Sequence, residues 1–431
     1  MNIGPTSDRE CVLHFLEHLF GANPPREVSF RLWDGSRWPD SVDRPASLVL
    51  HHPGAVRGMF AGGTELALAE SYLADDFDVE GDVETACGLA DLLEHRPGGW
   101  RSALEDYRLL SRLPRGPGSR EGWRSQLLPG GPRHTLERDR AVVSFHYDVS
   151  NEFYKLWLGT QMLYSCAYFK SPDDDLDTAQ EAKLRHLCRK LRLRSGQKLL
   201  DIGCGWGGLA IHAAREQGVQ VTAITLSARQ AELAAQRVRE AGLEHKVRIE
   251  LRDYREVEQP ETFDAIVSVG MSEHVGEGQL STYFQTVERL LKPGGVFLNH
   301  AIGEGAHPRR HRGPSFIDKH VFPDSSIPPI PAVTAAAETA GLEVRDVENL
   351  REHYTLTLRH WVHRLEAMHE KALAYVDEPT YRIWRLYMAG SAHGFDHGRL
   401  AVYQVLLAKL NGAGRVVLPL TRDDWYQRSS D

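Results

Sequence analysis

Residues 267–276, VSVGMSEHVG, start as a buried strand and end in a carboxylate and an imidazole, Glu273 and His274. A proton acceptor beside a group that titrates near neutrality can move a proton or hold an anion. A second stretch, LLDIGCGWGGLA at 199–210, is a strand that breaks into glycines and then enters a helix. Gly203, Gly205 and Gly207 let a ligand lie against backbone where a Cβ would collide. A glycine loop alone is weak evidence, because several nucleotide folds use one. Here the spacing is DxGxGxG, not the GxGxxG of pyrophosphate binders, and Asp201 precedes the glycines. With no pyrophosphate to cradle, the pattern fits S-adenosylmethionine. Its amino-acid end would use the loop and Asp201, and its sulfonium would face the strand tips.

The next apolar run ends in TLSARQ, 225–230, where many dinucleotide sites carry an acid for the ribose. This one has none, and the amide of Gln230 offers both a donor and an acceptor instead. In RDY, 252–254, Asp253 could accept from an adenine amino group and Tyr254 could cover the ring. Taken singly, such residues are more often surface ones. Their position at strand ends is what promotes them.

The elements that would position these groups are legible from Gln197 onward. Short β runs (KLLDIGCG, VQVTAITLS, VRIELRDY, FDAIVSVG, VFLNHAI) alternate with helical stretches (LAIHAAREQG, ARQAELAAQRVREAG, YFQTVERLLKPGG). Alternation of this kind predicts a parallel, doubly wound sheet whose ligand sits beyond the carboxyl ends of the strands, near the switch point. Upstream, VSNEFYKLWLG and LDTAQEAKLRHLCRKL read as amphipathic helices, the second opening on Asp177 and Thr178. Downstream lies a mostly helical, aromatic-rich tail with HYTLTLRHWVHRLE and YRIWRLYMAGSAHGF.

Pro and Gly concentrate in 113–135, which reads as a linker. The segment before it is a small domain. EVSFRLWDGSRW and ASLVLHH predict short strands, and residues 65–95 predict helix, turn and helix. The boundaries expected are 1–112 for a structural or lipid-docking domain, 113–140 for a Pro/Gly/Arg-rich linker and 141–431 for the catalytic domain.

The chain has 431 residues, 42% hydrophobic and 26% charged, in the range of soluble globular proteins. Five cysteines are scattered without a CxxC pair, so neither a disulfide framework nor a metal site is expected. A reducing cytosol suits that pattern. The N-terminal sequence is not that of a signal peptide, and no run approaches the ~18 apolar residues of a spanning helix. A net charge of −8 argues against nucleic acid as a partner. From Arg101 to Arg140, however, nine arginines face five acids, and HPRRHRG at 307–313 is a second basic cluster. Solvated surface arginines are the simpler account of either cluster, and two together would also suit an anionic membrane face.

FHYDVSNEFYKLWLG, MLYSCAYF, LLDIGCGWGGLA, VSVGMSEHVG, LNHAIG, FIDKHVFPD and GFDHGRLAVYQ, in this order from about residue 140 to 410, resemble the cyclopropane-fatty-acyl-phospholipid synthase family. The N-terminal segment is similar to the small domain that longer, bacterial-type members carry. The resemblance implies an α/β fold, a doubly wound Rossmann-like methyltransferase sheet with a helical lid and tail, plus a small N-terminal α+β domain. It implies transfer of a methyl group from S-adenosylmethionine to a cis double bond of a phospholipid acyl chain, closing a cyclopropane ring. The carbocation-like intermediate needs aromatic faces, worth about 0.5–2 kcal/mol each, and a base, which the family implies is bound bicarbonate.

Residue by residue, the resemblance places bicarbonate at Cys166, Glu273, His300, the backbone at Ile302, and Tyr354. Glu273 would hold the bicarbonate proton while His300 and Tyr354 donate to it, and His274 would brace the loop. S-adenosylmethionine would meet Tyr164, Ser165, the loop from Gly203 to Gly207, Thr225, Gln230 and Tyr254. One departure is Ser391, where many relatives have a cysteine, so a covalent role there is in doubt. Trp361, Trp384 and Tyr387 read as core aromatics. Alternatives are a lipid C-methyltransferase leaving a methyl or methylene branch, a non-catalytic lipid-binding scaffold and a small-molecule N-methyltransferase. Expected partners are an unsaturated phospholipid, an anionic membrane surface and a second copy of the chain as a homodimer. The expected location is the cytoplasm, peripherally on the inner face of the membrane.

Overall fold

The structure, a computed structural model, describes residues 7–21, 24–94, 100–116, 134–147, 149–308, 315–416 and 418–426. Most of the expected linker, and Arg309, Arg310 and Arg312 of the second basic cluster, lie outside the described residues. The chain divides into two compact units.

The first unit comprises Met1–Ser125, Arg310–Val321 and Asp377–His393. Its sheet contains β1 (Val28–Arg31), β2 (Arg37–Trp38), β3 (Ala46–Leu50) and β4 (Phe77–Gly81), in the order β2-β1-β3-β4. The predicted strands are present. The helix-turn-helix reading of 65–95 needs correction, because Phe77–Gly81 is a strand between the helices, antiparallel to β3. Its FDVEG pattern buries Phe77 and Val79 at a period of two, too short a signal against the helical stretches on either side. Part of the late helix Glu378–Asp396 belongs to this unit. There Arg382 donates to Tyr72 O at 2.9 Å and Arg385 to the Tyr72 hydroxyl at 2.9 Å, both guanidiniums buried.

The second unit holds a sheet of seven strands: β5 (Lys198–Ile202), β6 (Gln220–Thr225), β7 (Val247–Leu251), β8 (Phe263–Val269), β9 (Leu291–Glu304), β10 (Leu342–Asn349) and β11 (Leu400–Lys409). The order is β10-β11-β9-β8-β5-β6-β7, and the run from β9 to β7 is parallel throughout. The tail is therefore less helical than expected. It contributes β10 and β11, with β11 antiparallel to both neighbours. A short apolar run such as VYQVLLA cannot be told from a buried helix by pattern alone.

The sheet is covered on both faces. Leu199, Val267 and Leu298 pack with Leu184, Leu187 and Ala213 of the helices Leu176–Lys190 and Gly208–Gln217. Leu200, Ile266 and Phe297 pack with Tyr283, Phe284 and Val287 of the helix Leu280–Leu290. The helix Leu176–Lys190 starts at Asp175, whose carboxylate caps Thr178 N, two residues ahead of the predicted Asp177. VSNEFYKLWLG forms only a short helix, Asn151–Lys155.

Candidate active site

In the second unit, four parallel strands end on one cavity. It is lined by Met162–Ser165, Lys183, Asp201–Trp206, Thr225, Gln230, Arg252–Arg255, Val269–Met271 and His274, among others. These are the tips of β5, β6, β7 and β8, with the chain order reversing between β6 and β8 across β5. The sequence pattern had placed a ligand there.

Gly203, Gly205 and Gly207 all have positive φ, at 82°, 53° and 79°. Their surroundings differ. A Cβ on Gly203 would lie 3.0 Å from that of Met271, and one on Gly205 would meet no atom within 4 Å. Gly207 is not part of the lining. A Cβ there would come within 3.2 Å of Ala234 Cβ, so this glycine serves the packing of two helices.

Asp201 is 2% exposed, and its Oδ2 has no hydrogen-bond partner among the described residues. Burial raises its carboxyl to about 7. Thr225 donates to Gln230 Oε1 at 2.8 Å, which fixes the amide in the wall. Asp253 is already gripped by Arg255, whose Nε and Nη2 each lie 2.8 Å from a carboxylate oxygen. The guanidinium also sits 5.4 Å from the centre of the Tyr254 ring. Tyr164 lines the cavity and packs on Trp361 at 5.3 Å between centroids. Trp361 is fully buried and also touches Trp157 and Tyr354. It is a core aromatic as expected, and part of a cluster that reaches the cavity wall.

The other five candidates lie outside that lining, and of these Cys166 and Glu273 adjoin its residues Ser165 and His274 in the chain. Glu273 is buried. Its Oε1 accepts the Ile302 amide at 2.8 Å, and its Oε2 has no partner among the described residues. The Ile302 N–H is thus engaged by Glu273, an arrangement the sequence did not disclose. Burial raises the Glu273 carboxyl to about 7. His300 is 2% exposed and is drawn down to about 3, by burial first and then by Lys183 and Lys190. Gln404 Nε2 lies 3.1 Å from His300 Nδ1. With the Gln404 amide in this orientation its NH2 donates, so Nδ1 accepts and the ring proton sits on Nε2. That Nε2 has no partner among the described residues.

Cys166 is buried with its thiol pushed well up, and Sγ lies 3.2 Å from Ala167 O and 3.7 Å from Leu350 O. The Tyr354 amide bonds the same Leu350 carbonyl, and Leu350 N bonds Val402 O at 2.7 Å. Val402 in turn is the register partner of Ile302. One run of backbone contacts therefore joins Cys166 and Tyr354 to Glu273 and His300. His274 lines the cavity, and burial holds it down at about 4. Ser391 is buried in the first unit.

Two residues escaped the sequence reading. Gln404 is hidden in the alternation of β11. Lys183 interrupts the buried face of its helix between Ala179 and Leu187, and a lysine on an apolar stripe was the available signal.

A parallel sheet with a glycine loop at its switch point, carrying one antiparallel strand next to its β10 edge, is a Rossmann-like fold. Comparison with known proteins is specific. A profile described as mycolic acid cyclopropane synthetase matches residues 134–405. A probable fatty acid methyltransferase of Pseudomonas putida is 40% identical over 93% of this chain and 96% of its own. Cyclopropane-fatty-acyl-phospholipid synthase of Escherichia coli is 38% identical over 61% of this chain and 66% of its own. The crystal structure of mycolic acid cyclopropane synthase CmaA1 complexed with SAH and CTAB is 35% identical. It has a TM-score of 0.59 and covers 63% of this chain and 98% of that one. The chain belongs to the mycolic acid cyclopropane synthetase family and is an S-adenosylmethionine-dependent methyltransferase that modifies lipids.

Proposed function

We propose that the chain transfers the methyl carbon of S-adenosylmethionine to a cis double bond of a phospholipid acyl chain and closes a cyclopropane ring, with bound bicarbonate as base. The observation that carries this reading is the pair of buried polar atoms left without a protein partner, Glu273 Oε2 and His300 Nε2. Buried groups of this kind are normally satisfied, by protein or by something bound. A small oxyanion that also carries a proton fits both, since the imidazole N–H donates to it and the carboxylate accepts from it.

Bicarbonate, when bound, supplies the base that removes a proton as the ring closes. The residues of the chain do the rest. His300 stays neutral over any working pH, because its imidazole is held near 3, so it remains a donor and does not compete as a base. Gln404 presents the Nε2–H. The Tyr354 hydroxyl adds a second donor. Glu273, anchored through Oε1 on Ile302, offers Oε2 as acceptor. Methyl transfer places positive charge on the alkene carbon, and the face of Tyr164, which lines the cavity, stabilises it without capturing it.

The donor itself is assigned to the cavity at the strand tips. Asp201, Gly203, Gly205, Thr225, Gln230 and Tyr254 lie in its wall. Asp253 acts there through whatever acceptor capacity Arg255 leaves it. No helix among the described residues is long and apolar enough to cross a membrane; the route proposed for the lipid is from an anionic membrane surface.

A second reading, methylation that leaves a branch without ring closure, is favoured by the fatty acid methyltransferase that matches across 93% of the chain. The test is incubation with S-adenosylmethionine and vesicles of a cis-unsaturated phospholipid, with and without bicarbonate, followed by mass spectrometry of the lipids. A product one CH2 heavier that fragments as a ring, and needs bicarbonate, supports the first reading. A branched product supports the second. No methylated lipid sinks both.

A further inference from the structure

Lys183 is a lysine 1% exposed in the wall of the cavity assigned above to the methyl donor. It lies on the helix Leu176–Lys190, and its Nζ donates to Ser165 Oγ at 2.9 Å. A purely structural account would have it fasten the 163–165 segment to that helix. Gln180, one turn earlier, already does so, its Nε2 donating to Ser165 O at 3.0 Å and Leu163 O at 3.4 Å. An ammonium has three protons to place, and among the described residues no carboxylate lies within ion-pair distance of Lys183.

In the lining of the same cavity Asp201 presents the complementary problem. Its carboxylate is buried, lines the wall and leaves Oδ2 without a partner among the described residues. Lys183 and Asp201 feel each other's charge but do not touch. Burying either charge without a partner is costly. Two opposite charges held apart on one cavity are matched by a ligand group that carries both signs.

We propose that Lys183, with Ser165 beside it, takes the α-carboxylate of the methyl donor's amino-acid end, while Asp201 takes its α-ammonium group. The assignment rests on the reading of this cavity as the donor site. Burial holds the ammonium of Lys183 down at about 8 and the carboxyl of Asp201 up at about 7. Each therefore gains from a ligand charge of opposite sign. Ser165 becomes the hinge of the arrangement, with its hydroxyl accepting from Nζ and its own proton free to reach the same carboxylate.

The test measures binding of S-adenosylhomocysteine and of 5′-methylthioadenosine, which lacks the amino-acid end, to wild type and Lys183→Met by calorimetry. Lys183→Met should weaken S-adenosylhomocysteine roughly 10–100-fold, the range of one charge-assisted contact, and leave 5′-methylthioadenosine unchanged. Equal weakening of both ligands, or of neither, overturns the assignment. If wild type binds neither ligand, the donor reading of the cavity fails first. Should Lys183→Met not fold, the crystal structure of wild type with S-adenosylhomocysteine decides. Nζ within about 2.7–3.2 Å of the carboxylate supports the proposal, and a carboxylate bound elsewhere overturns it.

Discussion

Replacing Glu273 by glutamine removes a titration while keeping a contact. Burial raises this carboxyl from its ordinary 4.5 to about 7. Oε1 accepts the Ile302 amide at 2.8 Å, and the amide oxygen of glutamine can accept the same bond. A group whose folded value is raised contributes its full stability below its unfolded value, and that stability is lost as pH rises through the folded one. Between those limits the unfolded carboxyl ionises while the folded one stays protonated. Each unit is worth about 1.4 kcal/mol, so the loss is on the order of 3 kcal/mol across the window. Glutamine does not titrate. From pH 5 to pH 8 the stability difference should therefore move in favour of Glu273→Gln by on the order of 2–3 kcal/mol. Asp201, raised in the same direction, is common to both proteins and cancels. Urea unfolding at the two pH values measures the difference directly. Parallel pH dependences, or a variant that gains at the acid end, would refute the reasoning. The same variant should bind S-adenosylmethionine normally and lose turnover by roughly 100–1000-fold.

Gly205→Ala should keep the fold, since a Cβ there meets no atom within 4 Å, at a cost of about 1–2 kcal/mol for the left-handed backbone. Donor affinity should drop, and unchanged binding of S-adenosylhomocysteine by calorimetry would move the donor out of this loop. Gln404→Leu leaves His300 Nδ1 buried and unpaired, costing about 1–3 kcal/mol, and lets the ring proton move to Nδ1. Nitrogen NMR of labelled histidine reports the tautomer, and an unaltered signal would remove Gln404 from that role. Tyr354→Phe keeps the ring contacts to Trp361 and Phe395, so stability should change by less than about 1 kcal/mol while turnover falls at least ~10-fold. Wild-type turnover would show that the hydroxyl has no part in the reaction.

The sequence alone determined the alternation of β5 to β9 with helices and the placing of a ligand at the strand tips. Periodicity, a glycine loop after a strand and an acid before it are local signals, and local chemistry suffices to read them. Glu273 was also legible, as a carboxylate that ends an apolar run, while His300 entered through the family resemblance. Their partners were not legible. That Ile302 N is taken by Glu273 Oε1, and that Gln404 sets the His300 ring, depends on strands far apart in the chain pairing in register. Residue spacing carries no information about such pairing.

The same limit explains the elements misread. β4, β10 and β11 are strands because each finds a neighbour to pair with; the apolar run of β11 is ambiguous between strand and buried helix, while β4 is short and β10 buries only Leu342. Gly207 looked like a ligand-facing glycine until the helix bearing Ala234 came to rest against it. Lys183 shows the division most sharply. In sequence it is one of several cations on a helix. Its meaning comes only from the packing that buries it, leaves it no carboxylate partner among the described residues and sets it in one cavity lining with Asp201.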